Sequence, residues 1–354
     1  MKTIFLSLLL LYYGFTFAQI SISPEEKELI EKQLSAFPTH TEFSIAIVEG
    51  EEVVYFGLRK EKSGIKEVNN RDHIFQIGSL SKVFTTQLLL FMIEEGKIKD
   101  LDAIVRENLD IALKGNPDFS FRQLASHSSG LPSDPDNLGT TVFNAKNPYK
   151  EYSKEKFEAY LKESLILENP AGQAYKYSNL GMTLLGYALS EVSGQNYESL
   201  LQENIFGPLG MEQSSTDRAK LQGSFVRGRN KKGKETPAWD FQVVAPAGAI
   251  SSNTIDLVKW VKWNFEILKN SFAEMGETQF SHSESMDIAL GWHIRKKPAK
   301  SPFLWHNGGT GGFKSSLALN SEQDKAVIIL TNVGRSPKRG AIDTLCFSLM
   351  SMRE

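Results

Sequence analysis

The alternation of apolar and polar residues divides the chain into two ends rich in strands and a helical middle. FSIAIVEGEEVVYFGLRK (43–60) has two β-branched and aromatic runs around a polar turn at Glu49–Glu51, which predicts a β-hairpin. SSLALN (315–320) and KAVIILTN (325–332) predict a second antiparallel pair near the other end. SPEEKELIEKQLSAF (23–37) has the period of an amphipathic helix, with Ser23 as its cap, Pro24 in its first turn, and Glu25 and Glu26 at its positive end. RGAIDTLCFSLM (339–350) predicts a last helix.

From Ser79 to about Leu268 the helical period dominates. SNLGMTLLGYALSEVSG (178–194) and TIDLVKWVKWNFEIL (254–268) are two such segments. SFRQLASHSSGLP opens on a capping box of Ser120 and Gln123, and Gly130 ends its turn. Strands from both termini around such a middle predict an α+β fold. An antiparallel sheet is flanked by N- and C-terminal helices, and a mainly helical lobe is inserted between its strands. The expected division is an α/β lobe of 19–78 plus 285–354 and a helical lobe of 79–284. A groove between lobes is a common place for a site, and the turn-rich LPSDPDNLGTT (131–141) is placed to loop over it.

Composition changes this picture in three ways. Lys2, the apolar run Ile4–Phe17 and the small residues Thr16 and Ala18 read as an export signal over residues 1–18. The mature protein, starting at Gln19, is then expected outside the cytoplasm, periplasmic or secreted, with no stable membrane span. The single cysteine, Cys346, has no partner for an internal disulfide, so stability must come from packing. The net charge of −2 gives no basic footprint for nucleic acid, and RNKKGK and IRKKPAK read as solvated loops. A monomer is expected.

Ser-x-x-Lys occurs at Ser63/Lys66, Ser79/Lys82 and Ser153/Lys156. Context separates the copies. The first lies in a polar loop and the last starts a charged surface helix. Only Ser79 stands between a β-like run, HIFQIG, and a strongly apolar helix. There it would feel the positive end of the helix dipole, with free backbone N–H groups nearby to hold an oxyanion. Lys82, one turn on and on the same face, would lose proton affinity on burial and could take the serine proton.

YKYSNLGM contains the chain's only Tyr-x-Asn, Tyr177 and Asn179. A tyrosine beside a lysine ammonium ionises more easily and can serve as base and then acid. Asn179 has a donor and an acceptor with which to bridge a lysine and a substrate amide. WHNGGTGGFKSSLAL (305–319) offers glycines that let a ligand lie close against a strand, and Gly309 N–H as a second oxyanion donor.

In this order the three elements resemble the serine β-lactamase and penicillin-binding protein superfamily, most nearly its class C β-lactamase branch with the related D-alanyl-D-alanine peptidases and esterases. FRQLASHSSGLP, ENIFGPLGM and APAGAISS extend the likeness over nearly all of the mature chain. The resemblance implies Ser79 as acylated nucleophile, Lys82 as its proton partner, Tyr177 as general base then acid, and Asn179 as ligand of the substrate amide. His306, Asn307 and Gly308 match the Lys-Thr-Gly element, and Ser79 and Gly309 N–H form the oxyanion hole. Which of Lys82 and Tyr177 takes the serine proton stays open.

Two departures bear on the substrate. Gln76 stands where the branch usually has glutamate, and His306 and Asn307 stand where it has the lysine and threonine that hold an acidic group. Losing a hydrogen bond to a charged group costs roughly 1.5–3 kcal/mol, about ten- to a hundredfold in binding. Arg335 or Arg339 is a candidate for the missing charge. The implied activity is β-lactamase-like hydrolysis. D-alanyl-D-alanine carboxypeptidase, D-amino-acid peptidase and carboxylesterase are the alternatives, with a penicillin-binding sensor or an acyl transferase beyond them. His127 reads as a structural residue. His40, His73, His282 and His293 lack metal-ligand spacing, and no metal or cofactor is expected.

Overall fold

The computed structural model describes residues 20–139, 146–297, 300–334 and 338–353. The proposed export signal therefore lies outside the described residues, as do Arg335 and the last two residues of the 131–141 loop.

The strands in chain order are β1 (Glu42–Glu49), β2 (Glu52–Glu61), β3 (Gly64–Glu67), β4 (Phe75–Gln76), β5 (Ser251–Ser252), β6 (Phe280–Ser283), β7 (Met286–Ile288), β8 (His293–Arg295), β9 (Phe303–Gly309), β10 (Lys314–Asn320) and β11 (Lys325–Thr331). Nine of them form one sheet in the order β3-β2-β1-β11-β10-β9-β8-β7-β6, with every pairing antiparallel. The two predicted hairpins meet at its centre, where Ile45 of β1 pairs with Ile329 of β11. The sheet resumes at β6, ahead of the expected return at 285. The edge strands β6 to β8 were not visible as strands because they are short and lack sustained alternation.

The main helices are α1 (Pro24–Ser35), α2 (Ser81–Glu94), α3 (Phe121–Ala125), α4 (Lys154–Glu163), α5 (Asn179–Ser193), α6 (Tyr197–Leu201), α7 (Ala245–Gly248), α8 (Thr254–Ile267) and α9 (Ala341–Met352). Ser23 and Glu26 close a capping box on α1, and Ser120 and Gln123 do so on α3. Ser178 caps α5, whose end is Gly194 in the left-handed conformation. Helices α1 and α9 cover one face of the sheet, burying Ile30, Leu34, Ile342 and Leu345 against Phe43, Ile45, Ile47, Val327 and Ile329. The opposite face of the same strands buries Ala46, Val48, Ile328 and Leu330 against the helical lobe. Burial on both faces explains why FSIAIV and AVIIL read as nearly unbroken apolar runs.

Helix α2 is the axis of the helical lobe and packs against α5 and α7. It is apolar nearly all round because it is buried nearly all round. Phe84 stacks on Trp260 at 4.4 Å between ring centroids. Among the described residues no helix is long and apolar enough to cross a membrane.

Candidate active site

Ser79 lies in a single 3₁₀ turn, Gly78–Leu80, that runs directly into α2. Lys82, three residues on in the first turn of α2, falls on the same side as Ser79. The chain entering the turn is held on two sides. Phe75 and Gln76 pair with Ser252 and Ser251, and Ile77 N–H donates to the Ile250 carbonyl at 2.9 Å. From the sheet, Ser315 Oγ donates to the Ile77 carbonyl at 2.7 Å. Gly78 has φ +56°, and a Cβ there would stand 2.5 Å from Gly309 N. The GS of the sequence is thus a conformational requirement as well as a steric one.

Gln76 also has a structural reason. Its side chain donates to the Trp239 carbonyl at 2.8 Å and accepts from Trp239 N–H at 2.9 Å. A carboxylate at this position would lack the donor for the first bond.

Lys82 is fully buried. Its Nζ donates to Ser79 Oγ at 3.1 Å and to the Ala247 carbonyl at 2.6 Å, and lies 4.9 Å from the centre of the Tyr177 ring. Ala247 belongs to the APAGAISS segment, which thus anchors the lysine. No carboxylate pairs with Lys82 among the described residues. Burial lowers its pKa to about 7, with the Asp134 charge acting weakly the other way.

Tyr177 immediately precedes the cap of α5. Ser178 Oγ accepts from Gly181 N–H at 2.8 Å, and Ser178 N–H donates to His127 Nδ1 at 3.2 Å. The His127 ring lies against the Tyr177 ring at 4.5 Å. His127 is therefore structural, as its sequence context suggests, and it positions Tyr177. The expectation that Tyr177 ionises easily is not met. Burial raises its pKa, and its contact with the Ser79 side chain offsets this only partly. The lysine beside it is the group whose proton affinity burial lowers.

Strand β9 runs along the other wall. Its Gly308 touches the residues that lead into the Ser79 turn, since a Cβ at 308 would fall 2.6 Å from Ser315 Oγ and closer still to the Ile77 carbonyl oxygen. Gly309 is exposed and its N lies beside Gly78, next to Ser79. His306 faces this side of the sheet, buried, with Nδ1 on the Asn307 carbonyl at 2.7 Å. Burial drives its pKa well below the ordinary value, helped by His293 and Lys82, so it contributes no positive charge at neutral pH.

Asn307 is not brought together with the others. Strand alternation turns it to the opposite face, where Nδ2 donates to Asp343 of α9 at 3.0 Å. Arg339 is exposed just ahead of α9. Lys314 of β10 lies on the Asn307 side, with its Nζ 3.8 Å from where a Gly309 Cβ would be and its charge felt by Asp343.

The other Ser-x-x-Lys copies are accounted for differently. Ser153 caps α4 through the Lys156 N–H, and Lys66 pairs with Glu61 in the β2–β3 hairpin. Sequence reasoning missed Asp134 and Tyr149. Asp134 accepts from Asn179 Nδ2 at 3.2 Å and from Tyr149 hydroxyl at 3.0 Å. The turn-rich 131–141 loop was the available signal, but nothing in it singled out Asp134 from its neighbour Asp136. Among the described residues no group of three or more His, Cys, Asp and Glu side chains is placed to hold a metal ion.

The chain matches the family model described as Beta-lactamase over residues 31–345. It is 23% identical over 325 residues to the D-alanyl-D-alanine-carboxypeptidase/endopeptidase AmpH of Escherichia coli (strain K12), covering 84% of this chain and 80% of that protein. It is 24% identical over 332 residues to a beta-lactamase of Pseudomonas fluorescens, covering 82% of this chain and 87% of that one. The fold superimposes on a beta-lactamase/D-alanine carboxypeptidase of Yersinia pestis with a TM-score of 0.73 at 18% identity, over 93% of this chain and 99% of that one.

Proposed function

Because the chain belongs to the Beta-lactamase family, we propose that it is an exported serine hydrolase that works through an acyl-enzyme on Ser79. The observation that carries this reading is the placement of Lys82, buried with no carboxylate partner among the described residues and 3.1 Å from Ser79 Oγ. With a pKa brought down to about 7, a large fraction of Lys82 is neutral amine at neutral pH. Its lone pair takes the Ser79 proton as Oγ attacks the substrate carbonyl carbon. The N–H groups of Ser79 and Gly309 hold the oxyanion. Collapse expels an amine or alkoxide, which is protonated from Lys82 with the still-neutral Tyr177 hydroxyl as donor in between. Water then attacks the ester carbon, releases the acid and returns the proton to Ser79.

β-Lactam amides are the first substrate class for this machinery, as the likeness to the class C branch suggests. A second reading, D-amino-acid peptidase or carboxylesterase, is favoured by neutral His306 and by Asn307 turned to Asp343, which leave no fixed cation on β9 for a substrate carboxylate. A time course of intact protein mass with excess penicillin separates the two. An adduct that forms and decays as ring-opened product accumulates supports β-lactam hydrolysis. An adduct that persists marks a penicillin-binding protein. If no adduct forms, the same assay with an activated ester is expected to acylate the protein, and failure there too removes the acyl-enzyme reading.

The pH dependence follows from the lysine. Protonated Lys82 cannot accept the serine proton, so kcat/KM is expected to rise about tenfold per pH unit below about 7 and to level off above it. A flat profile between pH 5 and 9 would show that the neutral amine is not needed.

A further inference from the structure

The basic run RNKKGK opens on Arg229, and this residue is not solvated as the composition of the run suggests. Its side chain is 15% exposed, against 78% for Arg227 two residues before it. Both line a cavity of about 280 Å³, together with Arg59 of β2, Glu42 of β1, His73 and Asn332. The cavity lies at the start of β1 and is closed on one side by the segment 224–229. Asn332 fixes that segment in place. Its Nδ2 donates to the Arg227 carbonyl at 3.0 Å, and its own carbonyl accepts from Arg229 N–H at 2.8 Å.

The charges in the cavity do not balance. Among the described residues Glu42 is the one carboxylate in the lining, and both its oxygens are used. Oε1 accepts from Arg59 Nε at 3.0 Å and Nη2 at 2.8 Å. Oε2 accepts from Asn70 Nδ2 at 3.3 Å and lies 2.9 Å from His73 Nδ1. Arg227 and Arg229 find their carboxylate outside the cavity, at half-exposed Glu235, and share it at 3.4 Å. That is longer than an ordinary hydrogen bond, and exposed ion pairs hold weakly. Arg229 Nη1 is spent on the Gly233 carbonyl at 2.9 Å, while its Nε is buried with no partner among the described residues. A buried donor without an acceptor is costly. Three guanidinium groups therefore line the cavity against one carboxylate, with an unmet donor among them.

We propose that this cavity binds a small oxyanion, a phosphate or carboxylate group, on Arg59, Arg227 and Arg229. Guanidinium forks match the paired oxygens of both groups. The volume falls short of the roughly 300 Å³ at which sites for drug-sized ligands begin, so the cavity suits an anionic group and not a whole peptide or antibiotic. The occupant ties β1 and β2 to the 224–229 segment. That segment in turn holds Ile74, just ahead of β4: Ile74 N–H donates to the Ser224 carbonyl at 2.8 Å, and Val226 N–H to the Ile74 carbonyl at 3.0 Å. Binding is therefore expected to stabilise the fold. Ser79 takes no part, so this site stands or falls independently of the acyl-enzyme reading.

The test is calorimetric titration of the purified protein at neutral pH with inorganic phosphate and, separately, with acetate, chloride being exchanged to hold ionic strength constant. Binding is expected at one site with a Kd of about 1 mM, the strength of two or three charge-assisted hydrogen bonds. At ten times the Kd the unfolding midpoint should rise by roughly 2 °C. Arg227→Ala should weaken binding about tenfold. It should leave the midpoint without added anion unchanged, because that side chain is mostly exposed. Arg227→Lys keeps the charge and loses the fork, and its affinity should fall in between. Binding of either anion that Arg227→Ala weakens supports the proposal, and the anion that binds names the group. Absence of saturable binding of both by about 10 mM overturns it. Binding that Arg227→Ala leaves unchanged also overturns it, since the anion then sits elsewhere on the surface.

Discussion

Ser79→Ala is expected to lose essentially all turnover, on the order of 10⁴-fold or more in kcat, and to form no acyl adduct with either penicillin or an activated ester. On the acyl-enzyme reading the oxygen that makes the covalent bond is gone, and what remains is binding and the two N–H groups. Folding should be nearly unaffected. Ser79 Oγ accepts one bond from Lys82, and Lys82 keeps its bond to the Ala247 carbonyl when that partner is removed. The measurement is paired: intact mass and product formation for activity, and denaturant midpoint for stability. Peptide mapping of the wild-type adduct completes it. An adduct retained in Ser79→Ala, or mapped to Ser63 or Ser153, would assign the nucleophile to another Ser-x-x-Lys copy. The geometry opposes this, since Ser153 is occupied as a helix cap and Lys66 is paired with Glu61.

Gly308→Ala is expected to damage activity less than the loss of Ser79 Oγ does, and stability far more. The added methyl would meet the Ile77 carbonyl oxygen and Ser315 Oγ, the two atoms whose hydrogen bond clamps the Ser79 turn to the sheet. Backbone cannot rotate away as a side chain can, so β9 and the turn must separate. Overpacking of this kind costs about 1–3 kcal/mol and sometimes more. A shift of about 1 Å between Ser79 and Gly309 N–H is enough for a hundredfold loss in rate. Gly309→Ala is the matched control. Its methyl would meet only ordinary contacts, the nearest being Lys314 Cε and Nζ at 3.8 Å, and it keeps the N–H. Unfolding midpoints and acylation rates of the two variants should differ sharply. Equal behaviour would mean that the close approach of β9 to the turn does not hold the site together.

The two central hairpins, the capped helices and the apolar helix after Ser79 were legible because each depends on local signals: period, caps and turn residues. The motifs were legible for a related reason. Ser79 and Lys82 lie three residues apart on one turn, so their proximity is set by local geometry whatever the rest of the chain does. The likeness in motif order then supplied the partners Tyr177 and Gly309, which are distant in sequence. What no local signal contains is which face a residue meets once the sheet closes. Asn307 follows His306 directly, yet alternation along β9 sends it to Asp343 while His306 remains near Tyr177.

The electrostatics were decided in the same way. A tyrosine next to a lysine is easier to ionise only as far as the lysine is charged, and burial brings the Lys82 pKa down to about 7. The proton affinity of Lys82 is lowered because α2 is enclosed on all sides, a property of the packed lobe and not of Ser-x-x-Lys, which two other segments share. The sequence reading had Asn179 use both its donor and its acceptor, to bridge a lysine and a substrate amide. Asp134, 45 residues earlier in the chain, removes one of them by holding the amide N–H groups. By itself the sequence determined the two central hairpins, the capped helices and the pairing of Ser79 with the lysine beside it, since those follow from spacing along one chain. The tertiary structure decided the protonation state of that lysine and the hydrogen-bonding sense of the Asn179 amide, because both depend on solvent exclusion and on partners that only folding brings near.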